Sequence, residues 1–253
     1  MAKVVSFYSF KGGVGRSIAL SNTAVLLARK GRRVVCVDFD LEAGGLHTIF
    51  GVQNRVGSYT LLDLLTMADA PTVERAMVDI TDLLGSPTTG KLWLIPSVSE
   101  PEKLKEIADS IRDIPMLIGR VIEDIEKEYM PHYVLVDSRS GFADLASAVV
   151  LRSDRLVCVL RPNRQNAEGL NMLLDILAPN SVPSFLVLSQ IPDLPQAPGR
   201  VNELQKLLGE GRHFDTQIPL VPELALDEYV EAIASPDSEL TKAYQPIVDW
   251  LEG

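Results

Sequence analysis

The stretch Phe10-Lys11-Gly12-Gly13-Val14-Gly15-Arg16-Ser17 decides how this chain folds. Before it runs an apolar segment, residues 4–8, which reads as a buried parallel strand. After it, residues 18–29 read as a helix. A strand, a glycine-rich turn and a helix N-terminus together make an anion cradle. Gly12, Gly13 and Gly15 let the backbone curl so that successive N–H groups point inward. Those N–H groups and the positive end of the helix dipole favour phosphate. Ser17 places a hydroxyl where Mg²⁺ would sit between phosphates.

The pattern departs from the common phosphate loop, G-x-x-x-x-G-K-[ST]. Phe10 stands where the first glycine would be, Arg16 where the lysine would be, and Lys11 is an added cation. The segment Lys11 to Ser17 resembles the deviant Walker A box of the ParA/MinD partition-ATPase superfamily, K-G-G-x-G-K-[ST]. An arginine replaces the second lysine, as in one bacterial subgroup.

Outward from the loop, residues 34–38 form a second β-branched apolar run. Strand, helix, strand makes a right-handed βαβ unit with parallel strands. At its end comes Asp38-Phe39-Asp40, whose spacing puts both carboxylates on one side of an extended chain. Two acids beside a phosphate loop imply a cation between them and the phosphates, so Mg²⁺ and water are their expected business. Residues 133–136 are a short apolar strand ending in Asp137, a Walker B pattern whose acid holds Mg²⁺ through water.

The resemblance extends these readings. It implies that Asp40 orients the attacking water, that Asp38 supports the metal, and that Lys11 reaches the nucleotide of a second subunit. It makes Asp137-Ser138-Arg139-Ser140-Gly141 a switch segment, with the Gly141 backbone near the γ-phosphate. Arg139 would pair with phosphate or with the acids, or simply lie on the surface. Pro219, Val221 and Pro222 fall in a stretch that packs on adenine in relatives, or else form a proline-stiffened turn. The implied cofactor set is Gly12, Gly13, Val14, Gly15, Arg16, Ser17, Ile18, Gly141, Pro219, Val221 and Pro222 for ATP/ADP. Ser17, Asp38 and Asp137 serve Mg²⁺, and Lys11, Asp40 and Arg16 serve catalysis. Ser189 and Gln190 stand where relatives read the base, without the usual asparagine.

Further apolar periodicity predicts helices over 58–68, 72–80, 101–111, 113–129, 143–151 and 167–177. It predicts strands over 91–95, 156–160, 184–189 and 217–221, and a loop over 191–199. Residues 239–251 form an amphipathic helix whose only lysine is Lys242, so it is expected to pack on the sheet rather than meet anionic lipid. The expected fold is α/β: residues 1–253 as one doubly wound, mostly parallel sheet with helices on both faces.

Composition narrows the function. Hydrophobic residues are 46% and charged residues 23%, as in a folded globular chain. Cys36 and Cys158 lie far apart inside strand runs, without metal-type spacing, and read as buried thiols. No signal segment is expected before the first strand, and the expected location is the cytoplasm. A net charge of −10 disfavours a large nucleic-acid footprint. Arg152, Arg155, Arg161 and Arg164 cluster in sequence, as a solvated surface or a partner contact. A lone His47 reads as a structural or surface residue. The leading expectation is a Mg²⁺-dependent, slowly hydrolysing ATPase that dimerises with ATP and acts on an unidentified protein partner. Alternatives are a nucleotide-sensing scaffold with little hydrolysis and a DNA-partition ATPase. No membrane contact is expected, and DNA is not expected to dominate.

Overall fold

The structure, a computed structural model, describes residues 1–66, 70–85, 87–98, 102, 114–138, 149–177, 182–208 and 211–253. The chain opens with β1 (Lys3–Tyr8), α1 (Arg16–Arg29) and β2 (Arg33–Phe39). Short helices α2 (Leu46–Ile49), α3 (Leu61–Thr66) and α4 (Val73–Ala76) lead to β3 (Val78–Asp79) and β4 (Lys91–Ile95). Then come α5 (Ile114–Tyr129), β5 (Tyr133–Ser138), β6 (Arg155–Leu160), α6 (Arg164–Leu177) and β7 (Ser184–Ile191). The rest is α7 (Ala197–Leu207), β8 (Thr216–Pro219), α8 (Glu231–Ala234) and α9 (Glu239–Glu252).

The strands form one sheet in the order β3-β4-β2-β5-β1-β6-β7-β8. Every neighbouring pair is parallel except the edge pair β3–β4. The parallel strands are continuous apolar runs because helices cover both faces. Alternate residues go to opposite sides. Val5, Phe7, Val34 and Cys36 pack with α1 and α9 residues such as Leu20, Ile247 and Leu251. Val4, Val35 and Val37 face α3 and α5 through Leu62, Ile118 and Ile125. Tyr8, Leu156 and Cys158 face α6 and α7 through Leu170 and Leu204. Both cysteines are buried free thiols, as expected, and burial pushes both well above the ordinary thiol pKa.

The doubly wound expectation holds, and three local expectations do not. Residues 72–80 are not one helix: α4 ends at Ala76, and Val78–Asp79 pairs antiparallel with Trp93 and Leu94. The window is too short for its pattern to separate the two periods. The loop expected over 191–199 gives way to α7 at Ala197, with Pro198 in the first turn, where its missing N–H costs nothing. The strand expected over 217–221 runs Thr216–Pro219 instead. All but residue 102 of the helix expected over 101–111, and all but residues 149–151 of that over 143–151, fall outside the described residues.

Candidate functional site

β1 stops at Tyr8 and the chain turns through the glycine loop into α1. Gly13 and Gly15 hold φ at 68° and 83°, the left-handed region that only glycine enters cheaply. Gly15 is the N-cap of α1, and no side chain caps that first turn. The helix therefore presents bare N–H groups at its positive end, a natural seat for an anion. The loop is held from behind: Ser189, buried at the end of β7, donates its hydroxyl to the Val14 carbonyl. Phe10 packs on the backbone of Gly169 in α6, where an added Cβ would lie 2.2 Å from the Phe10 ring. The residue in place of the usual first glycine thus ties the loop to a neighbouring helix.

Asp38 and Asp137 are directly paired in register on the adjacent strands β2 and β5, both deeply buried. Asp38 accepts from the backbone N–H of Leu46 at 3.0 Å and of Asp40 at 3.3 Å, which fixes the 40–46 segment. Burial, and then the charge of Asp137, push the Asp38 carboxyl well above its ordinary pKa, against the pull of those N–H groups. Arg16 does not point over the loop. Its Nε donates to Asp137 at 2.5 Å, Nη2 to Asp40 at 3.1 Å and Nη1 to Ser9 at 3.4 Å. The side chain is 8% exposed. Burial lowers the Arg16 pKa, but Asp137 and Asp40 outweigh it and leave the guanidinium above its ordinary value.

A cleft of about 400 Å³ joins Gly12, Gly13, Arg16, Ser17 and Asp40 with Glu42 and Gly45. A smaller cavity of about 80 Å³ adjoins it, lined by Ser189, Gln190, Pro219, Val221 and Tyr244. Gly13, Gly15, Ile18 and Glu228 border both. Of the expected base-side residues, Pro219 and Val221 line that cavity, and Pro222 instead opens a 3₁₀ turn beside it. Lys11 is exposed, its Nζ 5.7 Å from the centre of the Phe10 ring. Arg139 and Gly141 lie outside the described residues.

The donor set suits a hard divalent cation: a serine hydroxyl and carboxylates, all oxygen, beside a backbone anion cradle. Sequence reasoning missed Glu228, the Phe10–Gly169 contact and the Ser189 bond. Only Ser189 had a signal, a polar residue ending an apolar strand. The arginine cluster divides. Arg155 stacks on Trp250 at 4.9 Å, Arg164 pairs with Glu168 at 2.6 Å, and Arg152 packs on Gly119.

A glycine loop between β1 and α1, with acids ending β2 and β5 beside it, defines a P-loop nucleotide-binding protein. A family model described as an AAA domain matches residues 2–180, and the chain belongs to that family, as a P-loop ATPase of the ParA/MinD type. It is 28% identical to the septum site-determining protein MinD of Helicobacter pylori over 268 residues, covering 100% of this chain and 91% of the relative. Of the Thermotoga maritima and Bacillus subtilis MinD proteins it spans 53% and 66% of the length. Among solved structures, the Pyrococcus horikoshii MinD complexed with Mg-ADP matches with a TM-score of 0.78 at 21% identity, covering 100% and 96% of the two chains. The Aquifex aeolicus MinC:MinD cell division complex matches at 0.77 and 22%, covering 100% and 96%.

Proposed function

We propose that this chain binds Mg-ATP in the 400 Å³ cleft and hydrolyses it slowly, with the nucleotide state controlling dimerisation. The observation that carries this reading is the meeting of an uncapped helix N-terminus with Asp40 in one cleft, with Asp137 buried behind it and joined to it through Arg16. The amides of Gly12, Gly13, Val14, Gly15, Arg16 and Ser17 would hold the β- and γ-phosphates, and Ile18 with Pro219 and Val221 the nucleoside end. Ser17 and, through water, Asp38 and Asp137 would hold Mg²⁺, which neutralises charge building on the phosphates. Asp40, at the mouth of the cleft, would orient the attacking water. Lys11 is exposed beside the cleft and would cross to a second copy of the chain. Residues 1–253 act here as one nucleotide-binding unit, supported by the single sheet that runs from Lys3 to Pro219. A protein partner follows the MinC:MinD precedent in kind, without identifying the partner.

A second reading has specific support. Arg16 engages both acids, and an enzyme so arranged would bind nucleotide but turn it over rarely, acting as a sensing scaffold. A DNA-partition role is less favoured, because a net charge of −10 opposes phosphate-backbone binding. Stoichiometric Mg-ATP in a single-turnover assay separates the first two. The enzyme reading predicts complete conversion to ADP and a mass by light scattering that doubles with ATP and not with ADP. Calorimetry showing no heat with Mg-ATP or Mg-ADP on folded protein would overturn both.

A further inference from the structure

We infer that Arg16 is an internal counter-ion that makes divalent-metal binding depend on the nucleotide. This deepens the Mg-ATP reading and rests on it. All three guanidinium nitrogens are turned inward, to Asp137, Asp40 and Ser9, at 2.5, 3.1 and 3.4 Å. One of the carboxylates it grips, Asp137, is an acid that a metal beside Ser17 would draw on, and the other, Asp40, lines the same cleft. Asp137 is 1% exposed, so its charge has no water to fall back on, and Arg16 answers it.

A guanidinium and a divalent cation cannot share that position, since both are positive. A metal arriving alone must compete with a buried arginine for Asp137 and sit beside its uncompensated positive charge, which is strongly unfavourable. A triphosphate changes this. Arg16 is the first residue of α1, immediately after the uncapped Gly15. A side-chain rotation there moves its planar fork from the carboxylates to phosphate oxygens, which it pairs with equally well. Metal and nucleotide then enter together, each opening the way for the other. A lysine ammonium would offer its three donors from one atom, whereas this fork spreads them over a rigid plane, one nitrogen to each partner.

The test uses full-length chain and Mn²⁺ followed by electron paramagnetic resonance, without nucleotide. Where Arg16 blocks the site most of the time, apparent affinity falls by the fraction of time the site is open. Arg16→Ala is therefore expected to bind Mn²⁺ at least ~10-fold more tightly than wild type. Mn²⁺ should also raise the melting temperature of the variant and leave that of wild type unmoved. If Arg16→Ala does not fold by circular dichroism, Arg16→Gln, which keeps polar atoms but no charge, carries the same expectation. Equal Mn²⁺ affinity and equal melting shifts in wild type and variant overturn the inference. Mg-ATP calorimetry on wild type runs in parallel. Heat there with equal Mn²⁺ affinities sinks the Arg16 role alone, and absence of heat sinks the nucleotide reading beneath it.

Discussion

Phe10 and Gly169 show how a departure from a motif is compensated elsewhere. The common first glycine of a phosphate loop is replaced by an aromatic ring, and that ring needs room. Gly169 supplies it: any Cβ there would sit 2.2 to 2.6 Å from three ring carbons. The two positions are far apart in sequence, so neither announces the other. Gly169→Ala should destabilise the protein by about 1–3 kcal/mol through overpacking, measured by urea unfolding. In a Phe10→Ala background the same substitution should cost much less, since the obstructing ring is gone. An unchanged cost in both backgrounds would show that the glycine serves some other purpose. The loop glycines were legible at this scale because left-handed backbone demands them. The direction taken by Arg16 was not, because a long side chain's rotamer is set by acids that arrive from β2 and β5.

At the scale of elements, α1 is the helix on which the others converge. Nearly its whole length is buried, polar residues included. Ser21, Asn22 and Thr23 survive burial by donating to the carbonyls of Ser17, Ile18 and Ala19, one turn back, each at 2.8 Å. Asn22 does more: its Oδ1 accepts from the N–H of Ala232 at 2.7 Å, pinning α8 to α1 behind the cleft. Asn22→Ala would strand that buried N–H, and the expected loss is about 1–3 kcal/mol by chemical denaturation. Faster hydrogen exchange at the Ala232 amide should accompany it. A loss below ~0.5 kcal/mol, the range of neutral surface changes, would mean the amide finds another partner. The major strands were legible as long apolar runs, and the helices between them followed. β3 and α4 were not, since elements of two and four residues carry no measurable period.

At the scale of the whole molecule, α9 decides how the chain meets its surroundings. Among the described residues no helix is long and apolar enough to cross a membrane, so surface attachment is the case to weigh. The apolar face of α9 is already used: Leu240, Tyr244, Ile247, Val248 and Leu251 are buried against α1 and the sheet. Its C-terminal carbonyls are held by groups that begin the strands. Lys3 and Tyr133 each donate to Leu251 at 3.1 Å, and Arg155 donates to Trp250. Lys30 and Arg32 bind Glu252 at 3.1 and 2.8 Å. Cations at a helix C-terminus complement its dipole. Burying five such side chains is worth roughly 1.5–3 kcal/mol each. An anionic membrane returns about 1 kcal/mol per basic residue near its surface. α9 carries one such residue, Lys242, and that is paired with Glu239 at 2.6 Å. Lipid would bury the same apolar face, so the held C-terminal end and the near absence of basic residues decide, and we expect the chain to stay in the supernatant when phosphatidylserine-containing vesicles are sedimented, with Mg-ATP or without. ATP-dependent pelleting would mean that α9 undocks and that its held C-terminal end does not keep it on the sheet.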